Sequence, residues 1–294
     1  MPVKVNMEKE IFYDSEGAKI RAFLASPENP KLAVIVIHEI WGLNDNIKDI
    51  SRRLANEGYM ALAPQLYTRN EDVLNQENIQ NVMMRVWSIP PEKRNDPNSY
   101  QQIMSALDEK GKRVAELLVL NRQKTEEQMI KDAIKAYEYV SSQGVKKIVS
   151  MGFCMGGGLA FQLATEVPLD GTIVFYGRNP QPLETIQKIK GPILGLYAGE
   201  DPPIDAGLPD LISAVIKYKK DLELKIYPGA YHAFFNDRGR SYNKEASEDA
   251  WERVKKLPKE GFKVSEGKKK QQVDPCFLAW VYLLEVMEKK EKKD

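Results

Sequence analysis

The continuous apolar run Leu32-Ala33-Val34-Ile35-Val36-Ile37 before His38 admits few homes in a folded chain. A strand without polar alternation must be covered on both faces, as a central strand of a parallel sheet is between two layers of helices. Similar short runs recur at 59–63, 146–151, 172–176, 192–197 and 222–227, and segments of helical period lie among them at 45–56, 126–142, 155–165 and 207–220. This repetition predicts an α/β architecture, a doubly wound, mostly parallel sheet flanked by helices with right-handed crossovers. Upstream, residues 10–13 and 19–25 flank Asp14-Ser15-Glu16-Gly17 and predict a hairpin leading into the sheet.

Two stretches break the alternation. Residues 70–125 have helical composition, interrupted by Pro90-Pro91 and including Trp87, and we read them as a helical insertion. It is either an enlarged crossover packed on the sheet, or a lid or contact between copies in a homo-oligomer. Residues 255–270 carry lysines at 255, 256, 259, 263, 268, 269 and 270 against Glu260 and Glu266, and are expected to form a solvated loop.

At 294 residues the chain has length enough for one such domain, and residues 1–294 are read as a single unit. Hydrophobic residues at 43% and charged residues at 29% are those of a globular protein, neither disordered nor membrane-embedded. With 43 Lys plus Arg against 42 Asp plus Glu, no global field would draw the chain to nucleic acid or an anionic bilayer. The first residues lack a signal-peptide core, and no run approaches the roughly 18 apolar residues that cross a bilayer. The expectation is therefore a cytoplasmic protein with neither nucleic-acid nor membrane partners. In a reducing compartment the two cysteines, Cys154 and Cys276, would remain thiols, and Cys276 opens an apolar helical segment where packing suffices to explain it.

After the run ending at Met151 comes Gly152-Phe153-Cys154-Met155-Gly156-Gly157-Gly158, followed at once by helical sequence. Glycine two before and two after a nucleophile, between strand and helix, is the nucleophile-elbow pattern, here with cysteine in the position of serine. Such a corner strains the backbone of its central residue and tolerates only small neighbours. A thiol there faces a helix N-terminus, which favours thiolate, and the Met155 N–H is the natural first donor of an oxyanion hole. Taken alone, Cys154 is equally a small buried hydrophobe in a glycine-rich turn.

Partners decide between these readings. Asp201 follows the run 192–197 in Gly199-Glu200-Asp201-Pro202, and His232, one of only two histidines, follows the run 222–227. An acid before proline is common in ordinary turns, and a histidine in an aromatic loop is often structural. Together, however, Cys154, Asp201 and His232 reproduce the nucleophile, acid, histidine order of α/β-hydrolases, each at a strand end. The first run ends in His38-Glu39-Ile40-Trp41-Gly42-Leu43-Asn44, where Ile40 is assigned the second oxyanion N–H. Glu39 then lies beside the reaction centre, as a solvated carboxylate or a regulator of the thiol. His38 is read as a structural hydrogen-bonder.

These motifs, with Tyr227-Pro228-Gly229-Ala230-Tyr231-His232-Ala233-Phe234, resemble those of the dienelactone hydrolase family of α/β-hydrolases over most of residues 10–290. The resemblance implies a Cys154, His232, Asp201 triad, with Glu39 meeting the resting thiol and being displaced on activation. It also implies hydrolysis of a small ester or lactone through a thioester, with neither metal nor organic cofactor. Arg69, in Tyr67-Thr68-Arg69, is the counterpart it suggests for a carboxylate-gripping arginine, and Trp41 and Phe234 are further candidate substrate contacts. Two other readings stay open: a different acyl-transfer enzyme such as a thioesterase or peptidase, and a binding protein that kept the fold without catalysis.

Overall fold

The computed structural model describes residues 7–30, 32–93 and 96–260. They fall within one compact unit, Met1–Phe262; a second, Lys263–Asp294, which holds Cys276 and the lysines at 263, 268, 269 and 270, lies outside the described residues.

Strands β1 (Met7–Ser15) and β2 (Ala18–Ser26) form the expected hairpin. Glu16 and Gly17 connect them at φ of 41° and 77°, the left-handed pair that matches a two-residue turn to strand twist. Next come β3 (Leu32–Ile37), α1 (Asp45–Asn56) and β4 (Met60–Pro64). The segment that interrupts the alternation holds α2 (Gln76–Trp87), α3 (Pro97–Ser105), α4 (Glu109–Ala115) and a π-helical turn at Glu116–Leu120 that runs up to α5 (Arg122–Ser142). The regular winding resumes with β5 (Lys147–Phe153), α6 (Met155–Glu166), β6 (Gly171–Phe175), β7 (Ile193–Glu200), α7 (Pro202–Asp205), α8 (Leu208–Lys217), β8 (Leu222–Tyr231) and α9 (Lys244–Glu260).

The eight strands order as β1-β2-β4-β3-β5-β6-β7-β8. β1 and β2 are antiparallel, β2 meets β4 antiparallel, and every later pairing is parallel. From β3 the chain first winds outward to β4 and then returns to place β5 on the other side of β3. Strand order reverses there, beyond the C-terminal ends of β3 and β5, the position at which open α/β sheets place their ligands.

Both faces of the sheet are covered. In β3 alternate residues divide between two cores: Ala33, Ile35 and Ile37 join the one containing α5 and α6, and Leu32, Val34 and Val36 the one containing α1 and α9. This is why the run had to be apolar throughout. α1 is capped by Asn44, whose side chain accepts the Ile47 N–H at 3.2 Å, and it buries Ile47, Ile50 and Leu54. The lysine-rich stretch departs from the expected loop at its start, because Ala246, Ala250 and Val254 bury a helical stripe that carries Lys255 and Lys256 on α9. Lys255 there pairs with Glu252 at 2.6 Å. Among the described residues no helix is long and apolar enough to cross a membrane.

Candidate active site

Cys154 occupies the sharp corner between β5 and α6, with φ 56° and ψ −119°. A non-glycine residue in that region is strained, and its surroundings hold it there. A Cβ on Gly152 would lie 1.9 Å from the Gly156 carbonyl oxygen, and one on Gly156 would lie 2.3 Å from that of His38. The two glycines thus let the corner close on itself and let the start of α6 press against the end of β3. The Cys154 carbonyl accepts the Gly157 and Gly158 N–H groups at 3.0 and 3.3 Å. The Met155 and Ile40 amides donate no hydrogen bond among the described residues. Tyr67 ties these two residues together, its hydroxyl donating to the Ile40 carbonyl at 2.8 Å and meeting the Met155 Sδ at 3.7 Å.

His232 directly follows β8, and its Nδ1 lies 2.5 Å from Oδ2 of buried Asp201, which directly follows β7. A register shift between Ala198 and Glu200 bends the end of β7 beside β8. Burial works to lower the His232 pKa, but hydrogen bonds to Asp201 and to the Cys154 sulfur, with the charges of both, outweigh it and raise the imidazole to about 10. His232 thus stands against Asp201 and within electrostatic reach of Cys154. Asp205 braces the acid, its Oδ2 accepting the Asp201 N–H at 3.3 Å.

Glu39 is buried, and its carboxylate accepts the Asn236 side-chain N–H at 2.9 Å and the Tyr176 hydroxyl at 3.3 Å. Burial raises its pKa, opposed by the Asn236 hydrogen bond, the His232 charge and the Tyr176 hydrogen bond. Glu39 is thus held by an amide and a phenol. Burial, reinforced by the charges of Glu39 and Cys154, holds the Tyr176 phenol well above its ordinary range, so it remains a donor. Its ring also packs against His232, with centroids 5.1 Å apart. His38 is fully buried, its Nε2 accepting the Leu66 N–H at 3.2 Å and its Nδ1 lying 2.6 Å from the Glu39 carbonyl oxygen. Burial presses its pKa down to about 4, which suits the structural role expected.

Two expected substrate contacts are corrected. Arg69 grips buried Asp132 with two hydrogen bonds, 3.0 Å from Nε and 2.8 Å from Nη2, and donates to the Ser15 carbonyl at 2.7 Å. Asp132 requires a cation because it is buried, so the guanidinium is already committed. Arg69 borders a cavity of about 280 Å³ with Leu66, Leu117, Thr125 and Met129, a lining that includes none of Cys154, Asp201 and His232. Phe234 is fully buried, packed between Tyr176 and Tyr227, and its carbonyl accepts from Ser247 and Asn243 at 2.9 and 3.0 Å. It anchors the His232 loop from below. Trp41 stands edge-on to Trp87 of α2, with centroids 5.7 Å apart.

Sequence reasoning did not single out Tyr176, Asn236, Tyr67 or Asp205. Tyr176 could have been found, since it ends a strand run on the same sheet edge as Cys154. Among the described residues no group of three or more His, Cys, Asp or Glu side chains could hold a metal ion.

The comparisons with known proteins agree with this architecture. A protein from Saccharolobus solfataricus with the provisional name carboxymethylenebutenolidase is 96% identical over 249 residues, 85% of this chain and 97% of that one. A similarly named Escherichia coli protein is 30% identical over 271 residues, 87% of this chain and 86% of its own. A crystal structure from Klebsiella pneumoniae, described provisionally as a dienelactone hydrolase, superposes with a TM-score of 0.64 at 26% identity, covering 86% of this chain and 97% of that one. The dienelactone hydrolase family model matches residues 20–261. With most of its length matched in this way, the chain belongs to the dienelactone hydrolase family.

Proposed function

We propose that the protein hydrolyses a small carboxylic ester or lactone, with Cys154 as nucleophile, His232 as proton carrier and Asp201 as the group that orients it. One observation carries the reading: Cys154, at a strained corner, lies within electrostatic reach of an imidazole whose Nδ1 lies 2.5 Å from a buried carboxylate. The family membership and the relatives' provisional names support the reaction class.

In the first half-reaction the Cys154 sulfur, its proton held on His232, attacks the substrate carbonyl carbon. The carbonyl electron pair moves onto oxygen, where the Ile40 and Met155 N–H groups stabilise it. As the carbonyl re-forms, the bond to the leaving oxygen breaks and His232 gives that oxygen a proton, leaving a Cys154 thioester. In the second, His232 takes a proton from water as that water attacks the thioester, and the thiol leaves with the acid as product. Asp201 fixes the tautomer of His232 and stabilises its protonated form. Arg69 is held by Asp132, so the reading names small esters and lactones as a class and assigns no carboxylate grip to that residue.

The test is turnover of p-nitrophenyl acetate. Cys154→Ala should abolish it while leaving the thermal unfolding transition in place. Full activity in that variant would refute the nucleophile assignment.

A further inference from the structure

α8 buries Leu208, Leu211 and Ala214, yet Ile212 and Ile216, one turn apart, remain 41% and 72% exposed. The short helical turn Leu183–Lys188 borders the flank of α8 that carries Asp210, Ser213 and Lys217. The two isoleucines therefore lie on the opposite flank, toward the free side of β8, the last strand of the sheet.

The pairing of β8 with β7 fixes which of its backbone groups are open. The Ile193 N–H donates to the Asp221 carbonyl at 2.9 Å, and Ile193 stands level with Leu222. In a parallel pair this phase turns the N–H and C=O of Glu223 and Lys225 toward β7, and those of Leu222, Leu224 and Ile226 outward. Pro228, next in the outward phase, has no N–H and ends the run. The side chains alternate between the two faces. Leu222 and Leu224 pack on the core shared with α8, and Ile226 follows them on that face, 41% exposed. Glu223 and Lys225 lie on the other face, where Glu223 meets Arg253 of α9 at 2.5 Å and the Lys225 ammonium lies 5.4 Å from the Tyr227 ring.

An edge with open backbone groups beside exposed apolar side chains is a template for another strand. Charge selects both the partner and the register. If two copies of β8 pair antiparallel, a two-fold axis at Glu223 or at Lys225 sets like charges opposite each other. An axis at Leu222 sets Asp221 against Glu223, and one at Ile226 sets Leu224 against Pro228. An axis at Leu224 instead sets each Glu223 opposite Lys225 of the other copy and engages the N–H and C=O groups of Leu222, Leu224 and Ile226. It also brings Ile212, Ile216 and Ile226 of both copies to the same face of the joined sheet.

We propose that β8 pairs antiparallel with β8 of a second copy of this chain about a two-fold axis at Leu224, covering Ile212, Ile216 and Ile226. The pairing is independent of the hydrolase reading.

Sedimentation of the full chain from about 1 to 100 µM tests it, and the wild-type protein should be a dimer in the upper part of that range. Lys225→Glu and Glu223→Lys each place like charges at both crossings and should raise the dimer Kd at least about tenfold. An equimolar mixture of the two variants sets opposite charges at both crossings again and should recover dimers, which a loss of folding in either variant would not do. Ile216→Asp, at a position too exposed to matter for the fold of one copy, should also raise Kd. A wild-type protein that stays monomeric would overturn the pairing, and hydrogen exchange protecting residues 222–226 in that monomer would assign the edge to another cover. A dimer indifferent to Ile216→Asp and to both charge changes, or one that the mixture fails to recover, would overturn it as well.

Discussion

The loops after β3 and β8 each carry a histidine at the C-terminal edge of the sheet, and the two imidazoles are driven in opposite directions. His38 is enclosed among backbone groups, and burial pushes it to about 4. His232 also suffers burial, but a carboxylate and the Cys154 sulfur overcome it and carry the ring to about 10. The sequence neighbours of a histidine do not decide its role. What decides it is whether a charged partner arrives from another strand end, here Asp201 from β7.

The contrast between the two rings breaks most visibly if they are removed one at a time. If charged partners set the roles, His232→Gln lowers kcat/KM for p-nitrophenyl acetate on the order of 10³-fold, whereas His38→Gln lowers it less than about tenfold and acts mainly on thermal stability. Comparable losses in both would remove the distinction. Next in size, Asp201→Asn keeps the shape of the contact without its charge and should lower kcat/KM about 10²-fold.

The pH dependences sharpen the contrast. His232 stays protonated through neutral pH, so wild-type kcat/KM should hold until it falls as pH passes about 10, and Asp201→Asn should shift that fall to lower pH. Because its folded value is raised, the stability His232 contributes is fully present below its ordinary 6.5 and is lost as pH rises through about 10. The sign for His38 is opposite. Its folded value is depressed, so its contribution is present above 6.5 and is lost as pH falls through about 4. Melting temperature should decline over that acid range, and less so in His38→Gln.

The smallest expected effect belongs to the groups holding Glu39. Asn236→Ala leaves a buried carboxylate oxygen without its 2.9 Å donor and should destabilise the protein by about 1–3 kcal/mol. Thermal unfolding measures this, and the Glu39→Gln variant should be less sensitive to the same change.

Much of the site was legible because strand ends and elbow glycines leave local signatures. The run from Leu32 could only be a strand covered on both faces, and Gly152 and Gly156 mark the corner where backbone meets backbone. Side-chain direction was not legible. Arg69 lies beside the expected site in sequence, but its partner Asp132 sits 63 positions away on α5, with no spacing rule to announce it. Phe234, two residues after His232, turns inward because the loop folds back through hydrogen bonds from Ser247 and Asn243. The partners of Glu39, Tyr176 and Asn236, come from the end of β6 and from the loop after β8, so recognising them needed three dimensions.

The central claim, that Cys154 attacks and His232 with Asp201 enables it, is met most directly by trapping the intermediate. Rapid acid quenching of wild-type protein with p-nitrophenyl acetate, followed by peptide mass spectrometry, should find one acetyl group on the peptide containing Cys154, at much lower yield in His232→Gln. Steady turnover with no acetyl on that peptide, retained in Cys154→Ala, would contradict the claim.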